Sequence, residues 1–312
     1  MSLGKIDTHQ HFFPKVYIEA VSMDVLAAQM PDKRAPQWTP EGAIAMMDAN
    51  DIAEGILSVS SVPNIEDTAV VLRGCNEAAA DLRARYPGRF GAFASLPLPD
   101  IDASLAEVAY ALDTLKADGF IVFTSYAGNY LGDERFMPLW EELDRRAAVV
   151  LIHPNEPSYA LPNVAPASVL EFPFETTRTA TSLILAGVLT RFPGIRFILS
   201  HAGGTLPFLF PRISLCLQMM PGVIERIGDP ATAFRAFYYY TALAAGPATF
   251  AALAKVADPQ KITFGTDFPM APAFGIEGFA KELVAMDIEG LSRAAIYRHN
   301  AARLIGRHIS NQ

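Results

Sequence analysis

Cysteine is scarce in this 312-residue chain, which carries only Cys75 and Cys216. Two cysteines do not make a disulfide framework. Each reads as a small buried apolar residue on a helix, in a reducing, cytoplasmic setting. Charge is thin as well, at 19% of residues, and no basic run occurs. With 25 Lys and Arg against 33 Asp and Glu, the formal net charge is −8. That balance argues against nucleic acid as a partner, because phosphate contacts need clustered cations. No apolar run reaches the ~20 residues of a membrane span before a charge or a proline breaks it. A secretory leader is not expected, since Lys5-Ile6-Asp7-Thr8-His9 already reads as a strand. No glycine-rich phosphate loop follows that strand, which counts against a doubly wound nucleotide-binding sheet.

Apolar residues are abundant, at 51%, and a compact chain of this length buries roughly 75% of its unfolded surface. Short β-branched runs recur at Lys5–His9, Gly55–Ser60, Phe90–Ser95, Gly119–Ser125, Val149–His153, Arg196–His201, Phe237–Ala242 and Ile262–Asp267. They are continuous rather than alternating, as parallel strands buried on both faces should be. Helical patterns separate them. Thr39-Pro40 opens one helix, Asp67–Tyr86 forms a long Ala-rich one, Asp102 caps a third, and Asp133 starts a fourth with Leu139, Trp140 and Leu143 facing inward. Eight strands, each followed by a helix, predict an α/β fold, a (β/α)8 TIM barrel forming a single domain over 1–312. Longer irregular excursions at about 12–38 and 154–174 fall on the C-terminal face, where barrel active sites lie.

Four of the six histidines stand at strand ends. His9 and His11 form an H-x-H pair on the first strand, His153 ends the fifth and His201 the sixth, while Asp267 ends the eighth. Residues i and i+2 of a strand point the same way, and closure of a barrel brings the first and eighth strands together. Three imidazoles and a carboxylate therefore predict a site for one divalent metal ion, Zn2+ or Mn2+. His299 and His308 read as solvated, and Asp7 as a structural or supporting group.

The segments Asp7-Thr8-His9-Gln10-His11-Phe12-Phe13-Pro14, Leu151-Ile152-His153-Pro154, Ser200-His201-Ala202-Gly203-Gly204 and Gly265-Thr266-Asp267-Phe268-Pro269 together resemble the amidohydrolase superfamily. More narrowly they are similar to its metal-dependent decarboxylase branch, whose members act on carboxymuconate-semialdehyde, resorcylate and 6-methylsalicylate. The resemblance extends to Gly132–Phe136, Glu175–Arg178 and Arg191–Pro193. It implies that His9, His11, His153 and Asp267 are metal ligands and that His201 and Asp267 act on the substrate. The fourth strand lacks the lysine that bridges two metals in other members, so a single ion is implied. The resemblance also implies a homodimer in which Arg212 reaches the partner's substrate carboxylate; a local ion pair is the competing role for it.

The implied activity is removal of CO2 from an aromatic, hydroxybenzoate-like or muconate-like acid. Phe12, Phe13, Phe172, Phe174 and Phe268 flank the motifs and suit a flat conjugated substrate. Thr124, Ser125 and Tyr126, at the fourth strand's end, offer hydroxyls to a phenol or carboxylate, and Arg34 and Arg178 are lesser anion-binding candidates. Two alternatives stay open: a lactone or amide hydrolase of the same fold, and a catalytically silent binding protein. The helix over Leu206–Met220 is apolar on too many sides to face one sheet, which independently suggests an interface.

Overall fold

A computed structural model describes residues 4–30, 32–62, 65–159, 164–285 and 290–308. Eight strands form the sheet: β1 (Lys5–His11), β2 (Ile52–Ser58), β3 (Phe90–Ser95), β4 (Gly119–Phe123), β5 (Val149–His153), β6 (Arg196–Leu199), β7 (Tyr238–Tyr240) and β8 (Ile262–Thr263). They lie in sequence order, every neighbouring pair parallel. Every residue of β3, β4 and β5 is buried, as continuous apolar runs between barrel core and outer helices require.

The seam between first and last strands closes mainly through the residues after β8. Thr8 N donates to Phe264 O (2.9 Å), Asp267 N to His9 O (3.0 Å) and His11 N to Phe268 O (2.7 Å). The strand itself is only two residues long, so Asp267 stands beyond it rather than at its end. His201 likewise follows β6, in a short 3-10 turn. The other bounds differ by a few residues: β2 starts earlier, and β1 continues through His11.

Thr39 caps its helix through Gly42 N, and Asp133 accepts from Arg135 N to open a turn that leads into Met137–Arg145, where Leu139, Trp140 and Leu143 are buried. The third predicted cap is displaced. Asp100, not Asp102, accepts from Ala103 N, and the helix Ile101–Asp113 buries Ser104, Glu107, Val108 and Ala111. An Asp two residues early has the extended backbone a cap needs, whereas Asp102 already lies in the first turn.

Two short helices, Lys15–Val21 and Met23–Gln29, occupy the first excursion, and the second runs irregularly into the helix Glu171–Leu185. Residues 31 and 160–163 of these excursions lie outside the described residues. Cys75 is buried as expected, but Cys216 is exposed, because it lies on the outer side of the helix Leu206–Met219. His308 is exposed, while His299 is half-buried in the last helical segment.

Candidate active site

β1 carries His9 and His11 into the mouth of the barrel, and both are wholly buried. Their backbone is held from below by Asp7. Its Oδ1 accepts from His9 N (3.0 Å) and Thr266 N (3.0 Å), and its Oδ2 accepts from Gln10 Nε2 (2.8 Å) and Thr266 Oγ1 (2.6 Å). One carboxylate thus ties the H-x-H strand to the turn that presents Asp267. Burial pushes the Asp7 carboxyl up to about 6, against the pull of these four donors.

His9 Nε2 lies 2.9 Å and His11 Nε2 3.1 Å from Asp267 Oδ1. His153 joins them from β5, its ring centroid 5.1 Å from that of His9 and 4.8 Å from that of His11. The donor atoms of His9, His11, His153 and Asp267 all lie within 4.8 Å of one another, and all four residues are buried. His11 Nδ1 faces Ser58 O at 3.4 Å, while its buried Nε2, 3.1 Å from Asp267 Oδ1, makes no well-aligned hydrogen bond. An imidazole anchored through one nitrogen, with the other turned to a carboxylate it does not properly bond, is the arrangement of a metal ligand. Burial and the neighbouring His11 push His9 down to about 4, and burial with His11 and His9 beside it holds His153 well below the usual histidine range. Burial alone would raise the Asp267 carboxyl, but His11, His201 and His9 around it hold it well below the usual carboxylate range. His9 and His153 neutral beside an ionised Asp267 is the protonation state that binding a divalent cation requires. The residues present therefore fit one such ion.

His201 completes the floor. Its Nε2 is 3.7 Å from Asp267 Oδ2, too far for a hydrogen bond, and 3.4 Å from the Tyr240 hydroxyl. His201 (φ 51°) and Asp267 (φ 62°) both occupy the left-handed region, a conformation that costs a non-glycine residue about 1–3 kcal/mol and persists where its surroundings impose it. Around His201 they do. A Cβ at Gly204 would come within 2.1 Å of Pro173 O, so only glycine lets the His201 turn pack against the helix Glu171–Leu185. Thr177 and Thr205 pair their hydroxyls across that contact at 2.8 Å.

A cavity of about 550 Å³ opens above the floor. His11, His153, His201 and Asp267 line its base, and Met30, Phe172, Pro173, Leu243, Met270 and Phe274 supply much of an apolar wall. Ser60 and Asp32 add polar atoms, Ser60 sharing a 3.3 Å hydrogen bond with Tyr17. The five residues predicted for the metal and the chemistry thus come together.

Of the predicted substrate contacts, Phe172 lines the cavity and the others fall elsewhere. Phe12 is buried against Trp38, with centroids 5.9 Å apart. Thr124 turns its hydroxyl to Asn155 Oδ1, and the Tyr126 hydroxyl accepts from Phe123 N at 2.8 Å. Phe268 packs against the core. None of these four lines the cavity. Arg178 pairs with Glu175 at 2.7 Å and Arg34 with Asp32 at 3.7 Å. Arg212 is exposed on the outer face of its helix. Sequence reasoning missed Tyr240, hidden inside a run that reads as core strand, and the wall residues Met30, Leu243, Met270 and Phe274. These four carry no motif.

Known proteins resemble the chain along nearly its whole length. It is 40% identical over 320 residues to a 6-methylsalicylic acid decarboxylase of Aspergillus aculeatus, covering 97% of this chain and 96% of that one. It is 38% identical over 297 residues to a 6-methylsalicylic acid decarboxylase of Penicillium expansum, covering 92% and 91%. A solved amidohydrolase II structure superposes with a TM-score of 0.89 at 30% identity, covering 97% of this chain and 100% of the other. The amidohydrolase family model matches residues 6–307. With its ligand cluster at the C-terminal mouth of an eight-stranded parallel barrel, the chain belongs to the amidohydrolase family.

Proposed function

We propose that this protein is a metal-dependent, non-oxidative decarboxylase of a small aromatic carboxylic acid. The observation that carries this reading is a cavity with a largely apolar wall above one histidine–aspartate floor. Such a shape takes a flat ring and directs one polar edge of it downward. The relatives that share 38–40% identity support the same chemistry.

His9, His11, His153 and Asp267 would hold one divalent ion, Zn2+ or Mn2+, which supplies Lewis-acid stabilisation of charge on substrate oxygens. Phe172, Leu243 and Met270 enclose the ring and keep water from it. Loss of CO2 needs a proton at the carbon that bears the carboxylate. That protonation interrupts the ring's conjugation; the carbon–carbon bond then breaks, its electron pair returns to the ring, and CO2 leaves. Asp267 and His201, 3.7 Å apart at the cavity base, are the groups placed to hand on that proton.

The working unit is a homodimer. In the helix Leu206–Met219, Phe208, Leu215 and Met219 are exposed along one face, together with Arg212. This apolar stripe supports burial against a second copy, with Arg212 offering a bidentate fork to the partner's substrate carboxylate.

The test is incubation with hydroxybenzoates and carboxymuconate-like acids, with Zn2+ and Mn2+ supplied separately. CO2 should be released, and in D2O deuterium should appear on the carbon that lost it. Lactone or amide hydrolysis with no CO2 from any such acid would overturn the reading.

A further inference from the structure

Tyr240 ends β7 with its side chain fully buried. Its ring lies nearly flat on His9, with centroids 4.5 Å apart and planes 16° apart. Gly265 leaves room for it, since a Cβ there would come within 3.0–3.3 Å of the tyrosine's Cδ2, Cγ and Cβ. The hydroxyl reaches His201 Nε2 at 3.4 Å, and the two rings stand 5.4 Å apart at 71°. Among the described residues this is the one hydrogen bond to the His201 ring. It is longer than the usual ~2.7–3.2 Å, as catalytic contacts often are before substrate closes the site. His201 otherwise meets Asp267 Oδ2 at 3.7 Å, aromatic edges at 6.3 Å from His9 and 6.2 Å from His153, and the cavity itself.

We propose that Tyr240 is a positioning residue for His201, its hydroxyl fixing the imidazole in one orientation and one tautomer above Asp267. The geometry gives the phenol two separate duties. Its ring packs the His9 ligand, and its O–H anchors a side chain that stands on left-handed backbone and faces open space. A phenol is an O–H at neutral pH, able to donate to an imidazole nitrogen. A histidine free to turn about its side-chain torsions would spend much of its time pointing away from the reacting carbon, and misplacement of that kind lowers turnover rather than binding.

On the decarboxylase reading, on which the kinetic half of this role rests, Tyr240→Phe keeps the ring on His9 and removes only the anchor. In the Zn2+-loaded protein kcat should fall by about 10- to 100-fold, with KM and metal content within about two-fold of wild type. A second readout does not depend on turnover. Selective 15N-histidine labelling resolves imidazole tautomers, and His201→Asn assigns the resonance. Wild type should show one His201 tautomer and Tyr240→Phe an exchanging mixture. An unchanged kcat, or the same single tautomer in both proteins, overturns the proposal. Tyr240→Leu serves as the contrast, since it also strips the ring from His9 and should lower metal content. If Tyr240→Phe loses as much metal as Tyr240→Leu, the residue acts through His9 alone and the proposal fails. If wild type decarboxylates no aryl acid, the functional reading fails, and the 15N spectra still decide what Tyr240 does.

Discussion

On the cavity floor His9, His11, His153 and Asp267 are at most 6% exposed, whereas Leu243, Val169 and Phe274 in the wall are 42%, 57% and 81% exposed. The floor is fixed by backbone. Its side chains leave strand ends or turns sewn to neighbouring strands, and Asp7 alone binds four donors across the β1–β8 seam. The wall is fixed by loops and by the outward helices, and several of its apolar side chains stand open to solvent. Chemistry needs atoms placed to a fraction of an ångström, and strand ends supply that. Substrate fit tolerates replacement of one loop side chain by another, which is how one barrel serves many substrates.

The largest expected effect comes from breaking the floor. His153→Ala removes one of four donors, and activity should fall on the order of 10³-fold or more, since Lewis-acid stabilisation contributes several kcal/mol and about 1.4 kcal/mol corresponds to tenfold. Elemental analysis should show metal content falling with it, while circular dichroism shows the barrel intact, because Val149, Val150, Leu151 and Ile152 beneath it stay buried in the core. A variant that loses its metal and keeps its activity would show that the floor is not where the reaction happens.

That same contrast explains what the sequence makes legible. His9, His11, His153, His201 and Asp267 are visible because buried parallel strands announce themselves as continuous apolar runs, and a polar residue at the end of such a run has few reasons to be there. The eight-strand barrel is legible for the same reason. Thr124 and Tyr126 mislead because β4 ends at Phe123. Beyond it the chain curls into a small hairpin through Ala127 and Gly128, both at positive φ, and the hydroxyls turn back onto Asn155 and the Phe123 amide. The wall residues Met30, Leu243 and Phe274 are ordinary loop and helix side chains whose meeting depends on tertiary packing, and a periodicity argument has no purchase on them. Tyr240 is lost in Tyr238-Tyr239-Tyr240, where three aromatic residues read alike and only the pleat separates them.

A smaller effect sharpens the comparison at the rim. Arg212→Ala should lower kcat/KM on the order of 10²-fold if its guanidinium meets a desolvated carboxylate, as removing one member of a buried charge pair does. The same variant mixed with His9→Ala, itself nearly inactive, should restore activity. Random pairing makes half the dimers mixed, each with one complete site, so about a quarter of wild-type activity per chain is expected. Mixed dimers that form and stay inactive would confine Arg212 to its own subunit.

The smallest effect is read from the two thiols, one in each kind of environment. Burial pushes the Cys75 thiol up to about 12. At pH 8 its thiolate fraction is then roughly 10⁻⁴, and the thiolate is the form that reacts. Cys75 should therefore resist a thiol reagent until the barrel unfolds, whatever the protein concentration. Cys216 is exposed, one turn beyond Arg212 on the helix that carries Phe208, Leu215 and Met219. In dilute protein it should label rapidly. As concentration rises and the stripe is covered by a second copy, its labelling rate should drop several-fold while that of Cys75 stays at background. Protein already labelled at Cys216 should sediment as a monomer, because the added group stands where the partner helix must pack. Should Cys216 label equally fast at every concentration in a protein that sediments as a dimer, the dimer uses a different face, Arg212 lies outside it, and the exposed stripe belongs to some other contact.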